Sequence, residues 1–211
     1  MNELDNISKA VVEGDTKGTE KAVKVALDRG LPATRILQQG LIPAMGLVGQ
    51  RMKSGEYFLP EVLLSSKAFT AASAVLEPLL AKSQRASSAV KVVLGTVKGD
   101  LHDIGKNLVA IMLRGAGFEV VDLGIDVPSP RFLEVVQQTR APVLGLSALL
   151  TTTMVNMKEV VACLSESDWR RRVKVIIGGA PVTTRFAEEI GADGYSPDAA
   201  GAVDLVRRLM A

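Results

Sequence analysis

The 211-residue chain has one cysteine, one histidine and few aromatic residues (4%). A single cysteine, Cys163, excludes an intrachain disulfide and a cysteine-based zinc site, as is usual in a reducing compartment. With so few aromatic side chains, the core must be built from aliphatic residues. The net charge is only +2, and the basic residues are dispersed, so no nucleic-acid partner is expected.

Long apolar runs are also missing. Nowhere do about 18 apolar residues follow one another, which is the length that a membrane-spanning helix needs. The first residues have neither the basic nor the apolar segment of a secretory signal. We therefore expect a cytoplasmic protein with no membrane partner.

Helical periodicity dominates the first part of the chain. Apolar residues recur every three or four positions from Leu4 to Leu80, which predicts a helical bundle over residues 1–81. Glycines are expected to end its helices, at Gly14, Gly30, Gly40 and Gly55. A polar, aperiodic segment follows and predicts a linker over residues 82–89, before a second domain of residues 90–211.

In the second part, short β-branched runs alternate with helical stretches. Strands are predicted at residues 90–97, 118–123, 143–149, 173–177 and 192–195. Helices are predicted at residues 105–114, 130–139, 153–166, 184–190 and 199–210. This alternation predicts an α/β fold with a parallel sheet covered on both faces. Ligands of such sheets bind beyond the carboxyl ends of the strands.

Three loops at those carboxyl ends contain the unusual residues: Gly99–Gly105, Ser147–Thr153 and Gly178–Pro181. His102 has no evident packing role there, although a histidine that simply faces solvent is the alternative. Asp100 could accept a hydrogen bond from one ring nitrogen of His102 and leave the other nitrogen free for a metal. Because one histidine cannot hold a bare transition metal, the metal would arrive with its other ligands, in a macrocyclic cofactor.

Nucleotide binding is disfavoured, because the first loop has neither a Gly-x-Gly-x-x-Gly run nor P-loop spacing. The pair Gly178 and Gly179 is compatible with a tight turn alone. In this position it is also compatible with a bulky ligand tail that passes between backbone segments.

Three pieces of the sequence together resemble the cobalamin-binding motif of methionine synthase and of the corrinoid proteins of methylamine, methanol and methoxyarene methyltransferase systems: Asp100-x-His102-x-x-Gly105, Ser147-x-Leu149 and Gly178-Gly179. The segment Gly-Glu-Tyr-Phe-Leu-Pro-Glu at residues 55–61 resembles the helical cap of the same families. The resemblance covers nearly the whole chain. It implies a helical cap followed by a Rossmann-like, flavodoxin-like cobalamin-binding domain.

The resemblance implies a cobalamin or related corrinoid whose cobalt has His102 as its lower axial ligand. It also implies that Asp100 accepts a hydrogen bond from His102, and that the hydroxyl of Thr153 extends this relay. The remaining contacts that it implies below the corrin and around its tail are Gly99, Leu101, Asp103, Ile104, Gly105, Ser147, Leu149, Thr151, Gly178, Gly179 and Ala199. Over the upper face it implies Met52, Leu59 and Val62, for which ordinary bundle-core residues are the alternative.

The resemblance further implies a methyl carrier that is not catalytic alone and that passes through methylcobalamin, cob(I)alamin and cob(II)alamin states. Its partners would be a substrate-specific methyltransferase, a corrinoid:tetrahydrofolate or corrinoid:coenzyme M methyltransferase, and a reductive activase. An adenosylcobalamin mutase subunit is one alternative, but it would normally lack the helical half. A cobalamin-dependent regulator or sensor is another, but it would carry a tryptophan over the upper face, and the only tryptophan, Trp169, lies outside the cap.

Overall fold

The structure is a computed structural model that describes residues 2–82 and 89–211. The chain divides into two compact units. The first, called the helical unit, contains the N-terminal helices, and the second, the sheet unit, contains nearly all of the chain from Ala89 onward. Apart from its two end residues, the predicted linker 82–89 lies outside the described residues, so the domain boundary stays a prediction. Within the described ranges, no helix is both long and apolar enough to cross a membrane.

The helical unit contains α1 (Glu3–Val12), α2 (Thr16–Asp28), α3 (Ala33–Ile36), α4 (Ile42–Lys53) and α5 (Leu59–Lys82). A π-helical turn, Leu37–Leu41, joins α3 to α4 without a break. The helix α1 begins at a capping box, in which Asn2 and Asp5 bond to each other's backbone N–H groups. The apolar faces of α1, α2 and α5 pack together, as the predicted periodicity requires.

Glycine ends three of these helices as predicted. Gly14, Gly30 and Gly55 each follow a helix and have φ of 71°, 83° and 75°. The prediction for Gly40 is wrong, because this residue lies inside the π-helical turn. A Cβ at Gly40 would lie 3.4 Å from the side chains of Ile7 and Leu4 in α1, an ordinary van der Waals contact, so this packing does not require glycine.

The sheet unit contains five parallel strands in the order β2-β1-β3-β4-β5. The strands are β1 (Lys91–Thr96), β2 (Glu119–Asp122), β3 (Val143–Ser147), β4 (Lys174–Gly178) and β5 (Gly194–Tyr195). The helices are α6 (Ile104–Gly115), α7 (Ser129–Thr139), α8 (Thr151–Ser165), α9 (Thr184–Ile190) and α10 (Ala199–Met210). Every predicted strand and helix of this part is present, and the predicted α/β fold class is confirmed.

Helices α6 to α10 leave the central strands little contact with water. The last five residues of β1 and the first four of β3 are buried, as expected for strands covered on both faces. Phe132 of α7 is fully buried against β1, where the Cβ of any residue replacing Gly95 would lie 2.6 Å from its ring. Glycine at position 95 therefore makes room for the largest side chain of this core.

The strand order creates a crevice at one edge of the sheet. After β1 the chain runs to β2 on one side, and it later returns to β3 on the other side of β1. The connections that leave β1 and β3 therefore diverge, which is the topological switch point where ligands of such sheets bind. The loops of the predicted site leave the sheet at this point.

Candidate cofactor site

The carboxyl ends of β1, β3 and β4 finish in one row. Thr96 pairs with Ser147, and Ser147 pairs with Gly178, so the three predicted loops leave the sheet side by side. The first two loops are also joined by hydrogen bonds that converge on Asp100. Residues predicted from separate parts of the sequence thus meet at the switch point.

Asp100 is fully buried, and its carboxylate is the acceptor of five hydrogen bonds. Its Oδ1 accepts from the backbone N–H of His102 at 3.0 Å and is 2.8 Å from the ring Nδ1 of the same residue. Its Oδ2 accepts from the hydroxyl of Thr153 at 2.6 Å. The same oxygen accepts from the backbone N–H groups of Leu149 at 2.8 Å and Leu150 at 3.3 Å. The loops after β1 and β3 therefore share one carboxylate.

These donors decide the charge of Asp100. Burial is the largest single influence and opposes ionisation. The hydroxyl of Thr153, the N–H groups of His102 and Leu149, and the His102 ring together outweigh it, and the pKa of Asp100 lies well below its usual range. Asp100 is therefore an anion at neutral pH, held at the N-terminal end of α8, where the helix dipole also favours negative charge.

The ionised carboxylate selects one tautomer of His102. A carboxylate can only accept, so the proton must be on Nδ1, and the lone pair of Nε2 is left to bind a metal. No group within residues 2–82 and 89–211 bonds to Nε2, and the side chain is 50% exposed. The buried hydroxyl of Thr96 donates to the carbonyl of His102 at 3.0 Å and holds the backbone below the ring. Within the described part of the chain, His102 is thus held with Nε2 unbonded and accessible, the arrangement that a metal ligand requires.

Apolar side chains surround this edge of the sheet. Five large apolar residues in or next to the loops after β1, β2 and β3 are between 41% and 71% exposed: Leu101, Ile104, Ile125, Leu149 and Leu150. We call these five residues the apolar rim. Exposed apolar residues grouped in the loops at one end of a sheet favour a binding site, and Leu101 and Ile104 lie close to His102 in the chain. The site therefore fits a flat, largely apolar macrocycle whose metal has an open axial position.

Three predicted contacts of the same loops lie at or next to the starts of helices α6 and α8. Asp103 precedes α6 and accepts from the Asn107 side chain at 2.9 Å, while its carbonyl accepts the Asn107 N–H at 2.7 Å. Asp103 therefore holds the first turn of the helix that follows the histidine. Gly105 is the second residue of α6, and Thr151 is the exposed first residue of α8.

The glycine pair after β4 has a clear packing requirement. A Cβ at Gly179, whose φ is 137°, would lie 1.8 Å from the carbonyl oxygen of Ala148. At Gly178, a Cβ would lie 3.3 Å from the carbonyl oxygen of Ser196. The loops after β3 and β4 can therefore approach each other this closely only with glycine at position 179. Ala199, the first residue of α10, is buried at 4% exposure and lies next to the N-cap Asp198.

The predicted upper-face residues all belong to the helical unit. Met52 is partly exposed near the end of α4, Leu59 is 37% exposed at the start of α5, and Val62 is fully buried. Phe58, which the sequence interpretation left out, is 67% exposed between α4 and α5. Tyr57 fixes this turn by donating from its hydroxyl to the carbonyl of Val12 at 2.9 Å.

Sequence reasoning also missed Asp126, in the loop after β2. Its carboxylate accepts the backbone N–H of Gly99 at 2.7 Å. The topology of a parallel sheet pointed to this loop, because the loop after β2 leaves the same edge of the sheet as the three loops that were considered. Only those three contained an unusual residue pattern, and the fourth was therefore overlooked.

The sequence model of the B12 binding domain matches residues 90–204, more than half of the chain. A second B12 binding domain model matches residues 3–77. The chain therefore belongs to the B12-binding domain family, as its resemblance to corrinoid proteins predicted, and its cofactor is a cobalamin.

Individual relatives agree with this assignment over nearly the full chain. A corrinoid protein of Desulfitobacterium hafniense (strain Y51) is 40% identical over 212 residues, which cover 100% of this chain and 98% of the relative. The dimethylamine corrinoid protein of Methanosarcina barkeri is 42% identical over 195 residues, 92% of either chain. One chain in the crystal structure of the methanol:cobalamin methyltransferase complex of Methanosarcina barkeri has a TM-score of 0.87 at 31% identity, and the match covers 99% of this chain and 79% of that one.

Proposed function

We propose that this protein carries a methyl group between two methyltransferases, with His102 as the lower ligand of its cobalamin. The observation that carries the proposal is the His102–Asp100 pair, in which a buried carboxylate 2.8 Å from Nδ1 leaves Nε2 as the metal-binding nitrogen. A histidine fixed in this way would hold the cobalt of a corrinoid, which would supply the site that takes up and releases the methyl group.

The relatives support a carrier over a regulator. Their names describe a dimethylamine corrinoid protein and a chain of a methanol:cobalamin methyltransferase complex, and both match more than nine tenths of this chain. By this similarity, the donor-side partner is a methyltransferase specific for a methylamine or an alcohol. On the acceptor side we propose a corrinoid:tetrahydrofolate or corrinoid:coenzyme M methyltransferase, with a reductive activase that restores oxidised protein.

When bound, the corrinoid supplies a cobalt atom that can hold the methyl group. The protein's own residues adjust the ligand below it. The anionic Asp100 keeps the proton on Nδ1 and makes Nε2 a better electron donor, as carboxylates behind metal-bound histidines do. Thr153 and the N–H groups of Leu149 and Leu150 hold Asp100 in its ionised form. The apolar rim would exclude water from the surface of a bound corrinoid.

The histidine ligand is tested by electron paramagnetic resonance of protein loaded with a Co(II) corrinoid. The wild-type spectrum should show superhyperfine splitting from one imidazole nitrogen, because His102 is the chain's only histidine. His102→Ala should lose this splitting and keep a folded circular dichroism spectrum. An unchanged spectrum in the folded variant would remove the central claim.

The carrier role is tested with isotope-labelled dimethylamine, trimethylamine, monomethylamine and methanol. The reduced, corrinoid-loaded protein alone should consume none of them at a useful rate, and it should accept label only after a methyltransferase that co-purifies with it is added. The same mixture with His102→Ala is the matched control and should transfer much less label. Turnover of a donor by the chain alone would show a catalytic site in this chain and refute the carrier proposal.

A further inference from the structure

Asp126 has an unusual backbone conformation beside the predicted site. Its φ is 53°, and among the described residues only Arg140, with φ of 54°, shares a positive φ without being glycine. The left-handed region is unfavourable for residues with a side chain, although aspartate and asparagine tolerate it best. Strain of this kind is kept where the surrounding structure uses it, and it often accompanies a functional site.

Two hydrogen bonds connect Asp126 to the segment that precedes the histidine. Its side-chain Oδ1 accepts the N–H of Gly99 at 2.7 Å, and its own N–H donates to the carbonyl of Asp100 at 3.1 Å. The left-handed conformation is compatible with the simultaneous formation of both bonds. Asp126 therefore clamps the Gly99–Asp100 dipeptide at its two ends.

The clamp bears directly on the orientation of His102. The side chain of Asp100 can meet the Nδ1 of His102 only if the Asp100 backbone is held in place. On the other side, the hydroxyl of Thr153 in the first turn of α8 donates to Oδ2 of the same carboxylate. The loop after β2 and the loop after β3 thus fix Asp100 from both neighbours of β1 in the sheet.

We infer that Asp126 is a positioning residue, which holds Asp100 so that His102 presents Nε2 to the cobalt. This inference rests on the proposed role of His102 as axial ligand. Aspartate suits the position for two reasons. Its side-chain oxygen accepts the Gly99 N–H, and its short polar side chain tolerates the left-handed backbone.

Three variants separate these two properties. Asp126→Asn keeps an acceptor oxygen and tolerates the left-handed backbone, so it should behave like the wild type. Asp126→Gly relieves the backbone strain but removes the acceptor. Arg140→Gly is the matched control, because it relieves the same strain at the C-cap of α7.

The readout without cofactor is the ¹⁵N spectrum of the imidazole ring, which is unambiguous because the chain has one histidine. Wild type, Asp126→Asn and Arg140→Gly should show predominantly the tautomer with the proton on Nδ1. In Asp126→Gly the tautomer ratio should shift by about 3- to 10-fold, somewhat less than the roughly 10- to 100-fold effect of losing a partner bonded directly to the ligand. With Co(II) corrinoid bound, the fraction showing imidazole splitting should fall in the same variant only.

The outcomes distinguish this inference from the function on which it rests. If Asp126→Gly folds and matches the wild type in both the ring spectrum and the imidazole splitting, the inference is wrong and the axial-ligand proposal stands. If the wild type itself shows no imidazole splitting, the axial-ligand proposal fails, and the inference fails with it. If Asp126→Asn is as impaired as Asp126→Gly, the clamp needs the negative charge and not only an acceptor, which overturns the hydrogen-bond explanation.

Discussion

Replacing Asp100 by asparagine keeps the shape of the side chain and removes its charge. The carboxylate accepts from His102 on one oxygen and from Leu149 and Thr153 on the other. An amide has only one acceptor oxygen, so its NH₂ group must face donors on one side. If the NH₂ group faces His102, the ring Nδ1 must accept a hydrogen bond, and the ring proton must then be on Nε2. A protonated Nε2 has no lone pair free to bind cobalt.

The expected loss of stability follows from these contacts. Hydrogen bonds to charged groups contribute about 1.5–3 kcal/mol, and a buried donor without a partner costs about 1–3 kcal/mol. Because the donors share one acceptor, these values do not simply add, and we expect the free energy of unfolding of the sheet unit to fall by roughly 3 kcal/mol at neutral pH. The assay is urea denaturation of the cofactor-free protein followed by fluorescence of Trp169, which packs against the core of the sheet unit.

The stability difference between the wild type and Asp100→Asn should depend on pH. The pKa of Asp100 is lowered by folding, so its contribution is fully present above the usual aspartate pKa of about 3.9 and is lost as the pH falls toward the lower folded value. The wild type should therefore lose its advantage over Asp100→Asn at about 1.4 kcal/mol per pH unit below this point. A difference that stays constant between about pH 7 and pH 3 would refute the claim that Asp100 is a buried anion.

Two further predictions concern single contacts of the same edge. Thr153→Val should destabilise the cofactor-free protein by about 1.5–3 kcal/mol, the contribution of a hydrogen bond to a charged group, whereas Thr153→Ser should cost much less. Urea denaturation measures both losses, and equal losses would mean that the hydroxyl is not the cause. Gly179→Ala would place a Cβ 1.8 Å from the Ala148 carbonyl oxygen and should lower the free energy of unfolding by more than about 3 kcal/mol. Gly178→Ala, with its nearest contact at 3.3 Å, should lower it less. Thermal denaturation should therefore give Gly179→Ala the lower midpoint, and the reverse order would contradict the packing explanation.

The fold was predictable because local patterns match it in most elements. Val92, Val93 and Leu94 form a continuous apolar run in β1, which is typical of a strand buried on both faces. Glycines with positive φ end α1, α2 and α4 as their positions predicted. The exception, Gly40, shows the limit of such reasoning. Gly40 follows an apolar stretch as the other three glycines do, but the chain stays helical through it into α4, and its local sequence does not distinguish it from them.

The candidate site was predictable only in part. His102 and Asp100 are two residues apart, so their pairing could be foreseen from the sequence. Asp126 contacts Gly99 across 27 positions, and no local pattern connects the two. Its conformation is also decided by the neighbouring loop and not by its own sequence, because φ of 53° is intrinsically unfavourable for aspartate.

The sharing of Asp100 between two loops has a consequence for the synthesis of the protein. Asp100 and Thr153 are 53 residues apart, so a chain that has been made only as far as α7 contains the whole Asp-x-His-x-x-Gly segment without a fixed histidine tautomer. A ligand-ready histidine requires the pairing of β1 with β3, and the cofactor therefore favours folded over unfolded chains. At a free concentration about 100 times its Kd, a ligand that binds only the folded state adds about 2.7 kcal/mol to stability. Cofactor at that concentration would therefore raise the ratio of folded to unfolded chains about 100-fold.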